Sequence, residues 1–177
     1  FIGTALCKQL RQNGDTVLGA VRTLGAQSDC HETIEVGAIS SETNWRVALE
    51  RIEQVVHLAA RVHVMNEKSD DALDKFRLVN VEGTANLARQ AAAAGVKRFV
   101  YLSSVKVNGE STTPGHPYTA ADTPAPEDPY GVSKHEAEQV LHQIASDTGM
   151  EVVIIRPPLV YGPKVKGNFM LMMRWVG

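Results

Sequence analysis

Cysteine is scarce in this sequence: Cys7 and Cys30 are the only two among 177 residues. That count excludes a disulfide-dense scaffold and a four-cysteine zinc site. It leads to the expectation of a reducing, cytoplasmic setting. No stretch approaches the roughly 20 apolar residues needed to cross a bilayer. The opening Phe1-Ile2-Gly3 soon meets Lys8 and Arg11, so no secretory signal is read there. Neither sign of charge is in excess. Lys and Arg number 18 against 20 Asp and Glu, a net −2, and neither nucleic acid nor an anionic membrane is expected as a partner. Internal repeats and low-complexity segments are absent, and no G-x-S-x-G elbow is present to make Ser104 a hydrolase nucleophile. The histidines do not cluster: His135 and His142 share one predicted helix without a third ligand, and no metal is expected.

What is present is an ordinary globular composition, 44% hydrophobic and 21% charged, on a chain long enough to bury a sizeable core. Residues 3–13 read as a helix stopped by Gly14, and residues 16–22 and 33–36 as strands. Residues 42–53 read as a helix, 54–60 as a buried strand, 70–94 as a long helix stopped by Gly95, and 98–103 as a strand. Residues 105–128 lack periodicity and read as a long loop, a feature that is often functional in a compact domain. Asp128 and Pro129 then open a helix to Thr148, as cap and first-turn proline. Gly149 stops it, and a strand over 151–156 ends at Pro157-Pro158. Alternating apolar strands and crossover helices predict an α/β fold, a doubly wound parallel sheet with helices on both faces. The composition turns Met-rich after Gly162-Pro163. A domain over 1–163 is therefore expected, followed by the start of another over 164–177. The chain opens inside a helical turn without Met and closes in a helix-like run, so both ends are expected to be missing from the sequence.

Five segments, in order, carry a family resemblance: Phe1-Ile-Gly3, His57-Leu-Ala-Ala60, Tyr101-Leu-Ser-Ser104, Pro129-Tyr-Gly-Val-Ser-Lys134 and Arg156-Pro-Pro-Leu-Val-Tyr-Gly-Pro163. Together they resemble the extended short-chain dehydrogenase/reductase family, in its nucleotide-sugar epimerase/reductase branch, over essentially the whole chain. The resemblance implies a Rossmann-type sheet of order 3-2-1-4-5-6. The first strand and most of a Gly-x-x-Gly-x-x-Gly turn are absent from this sequence, and Gly3 matches the last glycine. A second, sugar-binding domain is implied to begin at 164–177.

Tyr130 and Lys134 are four residues apart on one helix face, which on its own could be a plain solvated contact. The resemblance makes them the catalytic pair. A free tyrosine titrates near pH 10, and reaching about 7 takes roughly 4 kcal/mol. The Lys134 ammonium and an oxidised nicotinamide would supply that together. Lys134 is also implied to hold the nicotinamide ribose, and Tyr130 to touch both cofactor and substrate. Ser103 and Ser104 sit at the carboxyl end of a strand, where ligands bind in open α/β sheets. Ser104, five residues before Gly109, is implied to hydrogen-bond the sugar oxygen that becomes a carbonyl, with Ser103 supporting the site from the cofactor side. Asn108 stands where a tyrosine is usual. Val105 and Lys106 stand where nucleotide-sugar 4,6-dehydratases carry Asp-Glu, which argues against that reaction.

The remaining candidates belong to the cofactor. Gly3 opens a helix whose N-terminus would face pyrophosphate. Leu58, Ala59 and Ala60 end a strand with residues that let a cofactor approach, and Arg61 follows. Asn80 is polar on an apolar helix face and is implied to support the site. Pro157, Leu159 and Val160 would flank the nicotinamide. Arg22 suits a 2′-phosphate, so NADP stays open beside NAD. Ala38 replaces an aspartate of many relatives and leaves the adenine to the backbone and Ile39. Asn168 is implied to bind the substrate diphosphate, with Phe169 beside the base.

The leading expectation is a nucleoside-diphosphate-sugar 4-epimerase of the UDP-glucose or UDP-N-acetylglucosamine type, using NAD in transient hydride transfer at C4. Its substrate would be a UDP-hexose or UDP-N-acetylhexosamine. One alternative is an NADP-dependent 4-ketosugar reductase, favoured by Arg22 and by the 156–163 segment. Another is a non-catalytic NAD(P)-binding sensor or scaffold. The resemblance also implies a homodimer through helices 70–94 and 130–148.

Overall fold

The computed structural model describes residues 1–25, 29–62 and 72–162. Helix α1 spans Ile2–Gln12, and the chain leaves it through Gly14 at φ 92°, a left-handed conformation that glycine adopts without a Cβ clash. Strands β1 (Leu18–Val21) and β2 (Glu32–Glu35) then pair in parallel, Leu18 opposite Glu32. A second parallel sheet has the order β3-β4-β5, made of Gln54–His57, Arg98–Leu102 and Glu151–Ile155. Its register sets Gln54 against Arg98 and Arg98 against Glu151. The α/β character and parallel pairing agree with the sequence reading. Strands β1 and β3 share no ladder.

Helix α2 (Ala72–Arg77) runs through a π-helical turn, Leu78–Gly83, into α3 (Thr84–Ala93). Helix α4 spans Pro129–Thr148 and ends at Gly149 with φ 74°. The core lies between α3, α4 and the second sheet. Phe99 and Tyr101 alternate inward from β4 and are fully buried against Leu87, Ala88 and Ala91 of α3 and Ala137, Leu141 and Ile144 of α4. Each large apolar side chain buried this way contributes roughly 1.5–3 kcal/mol. The alanines let the helices sit close to the strands. At Gly83 a Cβ would fall 2.6 Å from Ile39 Cγ2, so glycine is required where the π turn meets that segment.

One expectation is corrected. The helix predicted over 42–53 is a single 3₁₀ turn, Val47–Leu49. Side chains intercept the backbone groups that helix would use: Gln90 Oε1 accepts from the Trp45 amide, Asn86 and Gln90 both donate to the Thr43 carbonyl, and Asn44 Oδ1 accepts from the Arg46 amide. Trp45 and Leu49 still reach the core. Cys7 of α1 and Cys30 before β2 are joined as a disulfide, their Cα atoms 5.1 Å apart. That separation lies in the usual bonding range, and the pairing depends on how α1 meets the β1–β2 crossover.

Among the described residues no helix is long and apolar enough to cross a membrane, and no group of three metal-ligating side chains forms.

Candidate active site

The start of α4 is built by its own sequence. Asp128 Oδ1 accepts from the Gly131 amide at 2.6 Å, and Pro129 occupies the first turn. The other carboxylate oxygen, Oδ2, accepts from Lys106 Nζ at 2.7 Å. Lys106 lies in the 3₁₀ turn Val105–Val107, which Ser104 caps by accepting from the Lys106 amide at 3.3 Å. A Cβ on residue 131 would lie 2.8 Å from the Lys106 carbonyl oxygen. Glycine there lets the turn after Ser104 rest on the first turn of the helix that carries Tyr130. The two strand ends, Leu58–Ala60 after β3 and Ser103–Ser104 after β4, fall just beyond the ladders.

Tyr130 is half-buried and meets the Phe76 ring edge-on at 6.0 Å. Lys134 is 1% exposed. Its ammonium donates to the Leu102 carbonyl at 2.7 Å and lies 4.1 Å from the centroid of the Tyr101 ring. Asn80, in the π turn, clamps the chain after β3: it accepts from the Arg61 amide at 2.8 Å and donates to the Arg61 carbonyl at 3.1 Å. It also donates to Ser133 Oγ, which in turn donates to the Tyr130 carbonyl. Insertions of this kind in helices are frequent at functional sites.

Burial governs the electrostatics. It pushes the Tyr130 phenol up; Asp128 adds to that rise and the Lys106 ammonium opposes it. Burial pushes Lys134 down to about 7, against the field of Glu138. His57, buried and bonded to Thr84 Oγ1 at 3.0 Å, is held down to about 3, by burial first and Lys134 second. The Lys106 ammonium thus acts on Tyr130 from the turn after Ser104.

Three segments that carry cofactor candidates meet at α1. A Cβ on Gly3 would lie 3.6 Å from Leu58 Cδ1, and one on Gly162 would lie 3.5 Å from the Phe1 ring. The first turn of α1, the end of β3 and the segment after β5 therefore adjoin. The first turn of α1 holds no acidic residue. Pro157 is fixed by its carbonyl accepting from the Val105 amide, while Leu159 and Val160 are 62% and 38% exposed. Arg22 is exposed just beyond β1. Ile39 packs on the core beside Gly83. The Ser103 hydroxyl turns inward and donates to Glu138 at 2.5 Å. Asn168 and Phe169 lie outside the described residues.

The sequence model of the NAD dependent epimerase/dehydratase family matches residues 1–174. The chain belongs to this family. It is 48% identical over 176 residues, 99% of its length, to the UDP-glucose 4-epimerase of Vibrio cholerae, of which it covers 54%. It is 32% identical over 120 residues, 67% of its length, to the GDP-6-deoxy-D-mannose reductase of Pseudomonas aeruginosa, of which it covers 39%. Among solved structures, MoeE5 in complex with UDP-glucuronic acid and NAD superposes with a TM-score of 0.80 at 30% identity, over 94% of this chain and 54% of that one. The chain thus spans about half the length of such relatives.

Within this epimerase/dehydratase chain, sequence reasoning missed Glu138 and Arg156. The buried Glu138 carboxylate accepts from Arg156 Nε at 3.0 Å and Nη2 at 2.6 Å, and Arg156 Nη1 reaches Asn108 Oδ1 at 3.3 Å. A signal existed: Glu138 lies one turn beyond Lys134 on the same helix face, where apolar residues otherwise point inward.

Proposed function

We propose that the protein is a nucleotide-sugar 4-epimerase that uses NAD, with UDP-glucose or UDP-N-acetylglucosamine as substrate. The observation that carries the reading is the placement of Tyr130 and Lys134 on α4 against the carboxyl end of β4, where Ser104 caps the turn packed on that helix. The V. cholerae relative supports the choice of reaction.

The residues present fit the cofactor. Among the described residues the Lys134 ammonium has one hydrogen-bond acceptor, the Leu102 carbonyl. Two of its three donors are left for ribose hydroxyls. The N-terminus of α1, with the small residue Gly3 in its first turn, suits a diphosphate. Bound there, a nicotinamide supplies reversible hydride acceptance. The protein's own residues do the rest. Tyr130 takes the proton of the C4 hydroxyl and later returns it, with Ser104 donating a hydrogen bond to that oxygen. Lys134 holds the ribose and, charged, favours the tyrosinate. Because burial and then the Asp128 charge raise the phenol, the tyrosinate depends on the positive charges that the bound state brings together.

A second reading, an NADP-dependent 4-ketosugar reductase, draws on the exposed Arg22 beyond β1 and on the reductase relative in P. aeruginosa. Proton NMR of UDP-glucose and UDP-N-acetylglucosamine, incubated with the natural-length protein and catalytic NAD, separates the two. A new anomeric signal of the 4-epimer supports epimerase. Its absence in folded protein rejects epimerase on these two sugars and directs the test to NADPH oxidation with a 4-ketosugar. The same reading includes a homodimer through α2–α3 and α4, on which Leu78 stands 52% exposed. Sedimentation of a monomer at micromolar concentration would remove that part.

A further inference from the structure

Glu138 is 2% exposed, and a carboxylate so buried is costly unless it is paired and hydrogen-bonded. Its partners come from two other segments: the hydroxyl of Ser103 at the end of β4, and the guanidinium fork of Arg156 at the end of β5. Each partner directly precedes a site residue, Ser103 before Ser104 and Arg156 before Pro157. Glu138 itself lies one helical turn beyond Lys134. Two backbone bonds run beside this hub, from the Ser103 amide to the Ile155 carbonyl at 2.7 Å and from the Val105 amide to the Pro157 carbonyl at 3.0 Å. A single side chain therefore joins the three segments that carry the hydroxyl, the lysine and the cofactor-side prolines.

We propose that Glu138, locked by Arg156, is a positioning residue that sets Ser104, Lys134 and Pro157 in register and places a negative charge behind the lysine. The inference rests on the reaction proposed above for Tyr130 and Ser104. Burial drives Lys134 down to about 7, and the Glu138 field acts against that drive. The other groups facing the lysine do not replace it. His57 on β3 is held neutral. On β4, Tyr101 offers its ring, and burial raises its phenol, with Tyr130 and Glu138 adding to the rise. Tyr130 precedes the lysine by one turn on α4, with its phenol likewise raised by burial. Arg156 is positive and occupied by Glu138.

The test uses the natural-length protein with NAD(H) and the nucleotide sugar it turns over. Glu138→Gln keeps the shape and removes the charge. The expected result is a kcat lower by about tenfold or more, a KM within about twofold, and an alkaline limb of the kcat profile moved down by about one pH unit, as Lys134 loses its proton sooner. Ser103→Ala keeps the charge and removes the short bond; kcat is expected to fall several-fold with the alkaline limb in place. A merely structural ion pair predicts instead a lower melting temperature with kcat and pH profile unchanged in the folded protein, and that result overturns the proposal. Should Glu138→Gln not fold, Ser103→Ala and Arg156→Lys decide, and wild-type kcat in both overturns it. Fluorescence titration with NADH across pH gives a readout independent of turnover. A wild type inactive on every nucleotide sugar, whose NADH binding nonetheless has an alkaline limb that Glu138→Gln shifts, would remove the proposed reaction and leave the positioning role standing.

Discussion

At Tyr130 the environment and the chemistry pull in opposite directions. The phenol is half-buried against Phe76, and burial raises it, whereas proton abstraction near neutral pH needs it lowered. Of the charges near it, Asp128 opposes the change and Lys106 promotes it. Tyr130→Phe is expected to lower kcat by about 10³-fold with NADH binding retained, measured by turnover and fluorescence titration; surviving turnover would refute the mechanism and the pair's role. Asp128→Asn keeps the cap acceptor for the Gly131 amide and removes the charge. The acid limb of kcat/KM should then move to lower pH, with the melting temperature near wild type because Asn caps as well as Asp. The residues proposed for this site were singled out in the sequence by the family resemblance of five ordered segments, because the Tyr130–Lys134 spacing on its own also fits a solvated helix contact. Lys106 was noted there only as a departure from a dehydratase. That its ammonium lies between Asp128 and Glu110, beside the phenol, follows from the loop's return to α4.

At the level of elements, capping and glycine signals located the helices well. Asp128, Pro129 and Gly149 bound α4 as their chemistry requires, and Gly14 and Gly95 take positive φ just beyond α1 and α3. The segment 42–53 failed for a complementary reason. Its apolar spacing was helical, but the partners of its backbone groups are the amide side chains of Asn86 and Gln90, some forty residues away in sequence and one helix away in space. Local periodicity carries no information about such partners. The π turn at Leu78–Gly83 was likewise read as ordinary helix. It sets Asn80 so that one amide group binds both the loop after β3 and Ser133 on α4.

For the whole molecule, buried titratable groups tie stability to pH. His57 is held down to about 3 from an ordinary 6.5, so the unfolded chain binds more protons between those values. Its contribution is full above pH 6.5 and is lost as pH falls toward 3. The same sign holds for Lys134, whose contribution is present above 10.5 and lost as pH falls through about 7. The urea midpoint of the natural-length protein should therefore fall on acidification below pH 6.5, and His57→Gln should flatten that slope; an unchanged slope would contradict the burial of a neutral imidazole. Strand and helix alternation and the stop signals are properties of neighbours along the chain, and short-range periodicity was enough to expect them, whereas the Tyr130–Lys134 pair was singled out by the family resemblance. The Cys7–Cys30 bond, the Lys106–Asp128 pair and the Ser103–Glu138–Arg156 hub join residues 18 to 35 positions apart. Those were decided by packing alone, because a buried charge or sulfur finds its partner across space once the strands and helices have closed around it.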